Sequence, residues 1–293
     1  MPVVYVANIE ERVHKELSLP GMSDFAVQVD LPSFFSKVAA VAAQITGNKY
    51  QMVSGLFGAE QTAMLPFNPN SRQYLWVHSA NDAYDNKGKP IRSGDVAIIN
   101  PNKRLTATGS FKYLCLEFAG DCSLDMQDTR WVHLDDVPDA INRGCATADT
   151  DFHRKFPISS GIYGFMADRS VTEIVDSHDV GIRLGPEAHH TKFLEIYHVR
   201  AVKAARHDGV AQAVHIHPDY RDPNRGAYIE AIPGDLILFE PGVVHQGCAA
   251  RKEDLGKSRG EGFGIKLEDG LKFVNVIPIP GFVPNDENIA RHY

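Results

Sequence analysis

The feature that most constrains this chain is a repeated unit. SGDVAIINPNKRLTATG (93–109) and PGDLILFEPGVVHQG (233–247) each run Gly-Asp, four apolar residues, an Asn or Glu, then Pro. Each follows another apolar-rich run, QYLWVHS (73–79) in one half and KFLEIYHV (192–199) in the other. Self-similarity at this distance means two copies of one β-unit. A chain of 293 residues has room for two cores of about 100–150 residues each.

The remaining sequence fits an all-β architecture. YQMVSGLF, DVAIIN, KYLCLEF, FLEIYHVRAV, AQAVHIH, DLILFE and KFVNVIPIP are short β-rich runs punctuated by Gly and Pro, the pattern of sandwiches and barrels. Two stretches read as helix, 33–47 and 134–144, the second ending in a glycine suited to a C-cap. The polar, proline-bearing stretch 147–161 reads as a linker, so the expected domains are 1–146 and 147–293.

A formal net charge of −7 argues against nucleic-acid binding, which needs clustered Lys and Arg. No apolar run reaches the roughly 20 residues of a membrane span, and the first residues lack the pattern of a signal peptide. Cys115, Cys122, Cys145 and Cys248 form no CxxC pair. A reducing cytoplasm and a small-molecule partner are therefore expected, with no nucleic acid and no membrane.

Gly234, Asp235, Pro241, Gly242 and His245 match in spacing the second motif of the cupin superfamily, which this chain resembles. Glu240 stands where proline is usual, and Ala249 where asparagine is frequent. The first cupin motif is His-x-His, three or four residues, then a glutamate. AHHTKFLEIYHV (188–199) supplies His190 and Glu195, with Ala188 in place of the first histidine. The resemblance covers roughly residues 45–120 and 160–280. It implies a bicupin: two double-stranded β-helix (jelly-roll) barrels with a few short helices, the first degenerate and the second holding one divalent metal. It also implies a homodimer, since cupins commonly pair barrels edge to edge and open edges need cover.

Alternate residues of a strand share a face, so a histidine after a tight Pro-Gly turn can meet a histidine and a glutamate from neighbouring strands. His190, Glu195 and His245 are the expected ligands. His189 would then face the other way, unless a bulge brings both neighbours to the metal. Two histidines and a carboxylate suit Fe(II) with open positions, and the same donors accept Zn, Mn or Ni. Set side by side, Trp76 falls opposite Glu195 and Leu105 opposite His245, so the first copy carries apolar groups where the second carries polar ones.

Other candidates have plainer readings. His215 and His217 share a face, but a hairpin through Asp208-Gly209 would pair Val202 with His215 and turn both away from Glu195. His198 also alternates outward. Tyr197 shares parity with Glu195, and Tyr220 would face it across that hairpin; both could bind substrate or fill the barrel. Arg183 could anchor an anion or be a solvated surface residue, and Lys192, between the ligands, could move a proton or do neither. His245 and Glu195 could themselves be remnants of an inactive barrel, although a glutamate in an apolar strand is costly to bury unpartnered.

The leading expectation is an Fe(II)-dependent oxygenase, with Tyr197 and Lys192 as candidate catalytic groups. A redox-neutral Zn, Mn or Ni isomerase or lyase of a sugar acid or similar molecule is the alternative. A non-enzymatic binding cupin is the third.

Overall fold

The computed structural model describes residues 4–18, 20–46, 50–64, 68–93, 95–120, 129–133, 159–165, 170–177, 188–191, 195–201, 210–217, 227–251, 271–277 and 289–292. Its strands are β1 (Val4–Asn8), β2 (Ala26–Gln28), β3 (Tyr50–Met64), β4 (Arg72–Asp85), β5 (Val96–Ile99), β6 (Thr106–Gly120) and β7 (Arg130–Val132) in the first part of the chain. There follow β8 (Ser159–Phe165), β9 (Ser170–Ser177), β10 (Ala188–Thr191), β11 (Glu195–Ala201), β12 (Val210–His217), β13 (Ala227–Glu230), β14 (Asp235–Phe239), β15 (Val244–Arg251), β16 (Leu271–Ile277) and β17 (Ile289–His292). The α-helix α1 (Leu31–Thr46) answers the helix expected at 33–47. Asp30 caps it, accepting the Ser33 N–H at 2.8 Å. The second expected helix and the domain boundary at 146/147 lie outside the described residues. The expected linker extends to 161, but Ser159–Gly161 already opens β8.

The first half is a five-stranded sheet in the order β3-β6-β4-β5-β7. Register shifts between Met52 and Ser54, Glu60 and Thr62, Val77 and Ser79, and Asn81 and Tyr84 mark bulges. Such bulges let long strands curl over one core. The second half has two sheets. One runs β2-β1-β14-β11-β16-β9-β8, the other β13-β12-β15-β10-β17. Thus β1, from the start of the sequence, pairs antiparallel with β14 from far along it, Val4 opposite Phe239 and Asn8 opposite Asp235.

Strand alternation sorts the apolar residues into three buried layers. Leu75, Val77, Ala97, Ile99, Leu105, Phe111, Tyr113 and Trp131 fill the first barrel. Tyr197, Val199, Ile216, Ile229, Ile237 and Phe239 fill the second. The opposite faces of the same strands, Tyr74, Trp76, Val96 and Ile98 from one half and Ile196, Leu236 and Leu238 from the other, meet around α1 residues Phe34 and Val38. These strands are apolar throughout because both faces are covered.

The register also corrects the alignment of the two copies. Glu195 pairs with Phe239, and Gln73 pairs with Ile99. Since Phe239 and Ile99 hold the same place after their Gly-Asp turns, the counterpart of Glu195 is Gln73. Trp76, three residues on, corresponds to His198 and lies in the layer between the halves. An apolar run slides along a similar run at little cost in sequence similarity, and only ladder pairing fixes the offset. The Leu105–His245 correspondence holds. Each follows a turn whose central residue is left-handed, Asn102 at φ 60° and Gly242 at φ 90°, and each side chain is buried.

Candidate metal site

His245 is the second residue of β15, just after the Pro241-Gly242 turn, and is fully buried. Its ring lies flat on Phe239, centroids 3.8 Å apart and planes 12° apart, with the Tyr197 ring edge-on at 5.6 Å. Tyr197 in turn packs edge-on against Phe239 at 4.8 Å. The histidine is therefore inside the second barrel, as its spacing predicted. Nδ1 of His245 lies 2.9 Å from the Val243 carbonyl oxygen. A carbonyl only accepts, so Nδ1 carries the ring proton and the neutral imidazole has its lone pair on Nε2. That is the tautomer of a histidine ligating through Nε2, fixed by the turn that delivers the residue.

Backbone register places the other candidates. Glu195 is the ladder partner of Phe239 and two residues from Tyr197, which puts it on the inner face of β11. His189 is the ladder partner of His245, whereas His190 pairs with Ala290 of β17. Directly opposed residues share a sheet face, so the position facing His245 is that of His189. The alternation argument for His190 counts parity from Glu195 back through residues 192–194. But β10 and β11 lie in different sheets, and parity does not carry across a change of sheet. Ile216, the partner of His245 on β12, is buried in the barrel core. His215 and His217 therefore take the other face. The expected face is right and the expected hairpin is not, because β12 pairs with β13 and β15 rather than with β11. Lys192, Arg183 and Tyr220 lie outside the described residues. The side chains of His189, His190 and Glu195 lie outside the described ones, and among those described no group of three His, Cys, Asp or Glu converges as a metal site.

His198 is a partial correction. It leaves the barrel interior as expected, but it is wholly buried between the halves, its Nε2 3.0 Å from Nδ1 of His78 and the rings stacked at 5.2 Å.

Two further histidines escaped the sequence reading. Asp235 Oδ1 lies 2.9 Å from Nε2 of His14 and accepts the Asn8 amide at 2.7 Å, while Oδ2 accepts the Ile232 N–H at 2.8 Å. In the first half Asp95 Oδ2 lies 2.9 Å from Nδ1 of His133, whose Nε2 is 3.1 Å from Asp85. The aspartate of each Gly-Asp turn thus holds a histidine that follows the strand paired beside it. Burial opposes the charge on Asp85, but the Lys89 N–H, the His133 ring and the Lys87 N–H outweigh it and hold its pKa below the ordinary carboxylate value.

No family model matches the chain, and no curated protein matches it. Solved structures are similar over most of its length. Oxalate decarboxylase of Lactobacillus farciminis in its formate complex is 11% identical, covers 83% of this chain and 83% of its own, with a TM-score of 0.45. The 7S globulin of Momordica charantia is 13% identical over 82% and 77%, at 0.40. A single-residue mutant of salicylate 1,2-dioxygenase from Pseudoaminobacter salicylatoxidans is 10% identical over 76% and 69%, at 0.41. These are likenesses only; what the chain's own strands establish, among the described residues, is a mostly β fold of three sheets. No helix among the described residues is long and apolar enough to cross a membrane.

Proposed function

We propose that the second barrel is a metal-dependent active site for a small organic substrate, with one divalent ion held by His245, Glu195 and His189. The observation that carries this reading is the fixed tautomer of His245. Its Nδ1–H is spent on the Val243 carbonyl, so Nε2 is the electron-pair donor inside the barrel. The register positions support a carboxylate from Glu195 of the other sheet and a second imidazole from His189 on the strand beside His245. An Fe(II) ion in such a two-histidine, one-carboxylate set supplies redox chemistry with dioxygen and retains open positions, which favours an oxygenase.

The chain's own groups then have separate tasks. Phe239 and Tyr197 clamp the His245 ring on its face and edge, keeping Nε2 on one bearing. The apolar wall formed by Val199, Ile216 and Ile237 excludes water and selects an organic substrate. The Tyr197 hydroxyl is the candidate to hold or pass a proton at the substrate.

Elemental analysis of protein purified without added metal tests the reading. About one ion per chain is expected, with His245→Ala, Glu195→Ala and His189→Ala each losing nearly all of it and His190→Ala retaining it. Full retention in the His245 and Glu195 variants would remove the site, and loss on substituting His190 alone would restore the other neighbour. An iron-loaded protein that consumes no dioxygen with any small aromatic or hydroxy-acid substrate tried, while a Zn, Mn or Ni form isomerises or cleaves one, would replace the oxygenase with a Lewis-acid enzyme.

A further inference from the structure

The first barrel is not apolar throughout. Where the second carries Glu195, the first carries Gln73, fully buried on the inner face beside Leu75. Its ladder partner on β6 is Glu117, 8% exposed, and the Gln73 side-chain amide donates to Glu117 Oε1. Asn68 donates to Glu117 Oε2 at 3.2 Å. Ser71, in the bend that leads into β4 two residues before Gln73, is 1% exposed. Two of these buried polar atoms, Gln73 Oε1 and Ser71 Oγ, meet no hydrogen-bond partner among the described residues.

Such a cluster is expensive as packing alone. A buried carboxylate steadied by two neutral amides, beside an amide oxygen whose hydrogen bonds are unmade and with a buried, unbonded hydroxyl where the strand begins, costs free energy that an apolar filling would not. Native interiors rarely keep such groups without a use. The donor inventory narrows the use. Every spare atom is oxygen, and all can accept. Imidazole is missing because Leu105 replaces His245, and the nearby Cys115 thiol is kept protonated by burial and by the charge of Glu117. A soft or borderline metal thus has no nitrogen or thiolate to bind. A hard divalent ion would want six or more oxygens with several carboxylates, and the cluster offers one carboxylate. An ammonium group, with three donors, one positive charge and no acceptor, matches one carboxylate, one amide oxygen and one hydroxyl.

We propose that this end of the first barrel is a second ligand site, for a small organic ammonium ion seated on Glu117, with Gln73 Oε1 and Ser71 Oγ taking its remaining N–H donors. Leu75 and Cys115, buried beside it, limit the organic tail to a short one. The site is independent of any metal in the second barrel.

Titration calorimetry of the full chain with ethylammonium, tetramethylammonium and ethanol tests this. Ethylammonium should bind saturably; tetramethylammonium, which has the charge but no N–H, and ethanol, which has no charge, should not. Glu117→Gln should weaken ethylammonium binding at least about tenfold, the loss of a charge-assisted hydrogen bond. Ser71→Ala removes a hydroxyl that bonds nothing among the described residues, so it should fold normally and weaken binding about three- to tenfold. Equal binding of tetramethylammonium, undiminished binding by correctly folded Glu117→Gln or Ser71→Ala protein, or no saturable binding of ethylammonium to the wild type would each overturn the proposal.

Discussion

Asp235 is fully buried and gathers a ring nitrogen and a side-chain amide from the stretch 4–18 and a backbone N–H from its own turn. Asp235→Ala strands all three, and breaking a buried pair of this kind costs about 3–5 kcal/mol. Urea unfolding should show that loss as a lower midpoint with an unchanged slope. Asp85 gives a prediction in pH. Its folded pKa lies below the ordinary 3.8, so its share of stability is present above 3.8 and is lost as pH falls through the lower folded value. In Asp85→Asn the decline in stability below that pH should be shallower than in the wild type. An identical acid limb in the two proteins would mean that the network around His133 carries no linked protons. His14 and His133 were invisible in the sequence because their partners come from paired strands remote along the chain, and no local spacing records that. The two Gly-Asp turns were the available signal, since an aspartate repeated at the mouth of an apolar strand must be buried against something.

At the scale of the element, what could be read was whatever has a period or a fixed offset. The helix α1, the β-runs and the turn that ends in His245 follow from alternation, capping and the Pro-Gly spacing. What failed were statements about which strand lies beside which: the β11–β12 hairpin, the Trp76–Glu195 correspondence and the outward face of His189. The hairpin and the His189 face were counted along the chain across a gap where it changes sheet, while the Trp76–Glu195 offset slid one apolar run along another; only hydrogen-bonded register settles either. One bulge can be tested directly. Gly109 sits at φ 90°, where β6 passes the register shift at Asn81–Tyr84, and a Cβ there would lie 2.0 Å from the Asp82 carbonyl oxygen. Gly109→Ala should destabilise by about 1–3 kcal/mol from backbone strain alone, more if the clash is not relieved. A thermal midpoint within error of the wild type would show that the β4–β6 bulge can open.

At the scale of the molecule, both barrels use the same strand faces in the same way, inward for their cores and outward for the shared layer around α1. The halves differ in which polar groups they keep inside. They differ also in how they are closed, because β1 completes a second-half sheet, with Tyr5 bonded to Glu240 across 235 positions of sequence. On a ribosome this strand emerges first and its partner β14 late, an interval on the order of tens of seconds at ordinary rates of synthesis. Throughout it Val4 and Val6, destined for full burial, have only the short parallel strand β2 beside them, while the first-half sheet, drawn from residues 50–132, can already close. Maturation should therefore run in order, and the two tryptophans can report it, since Trp131 lies in the first core and Trp76 in the shared layer. In refolding of Trp76→Phe protein, Trp131 emission should recover before the far-ultraviolet signal of the late-closing sheet, and a single coincident phase would contradict this. The edge left waiting for β14 is also where a nascent chain would need a chaperone's cover, so the seam between β1 and β14 sets how safely the protein is made.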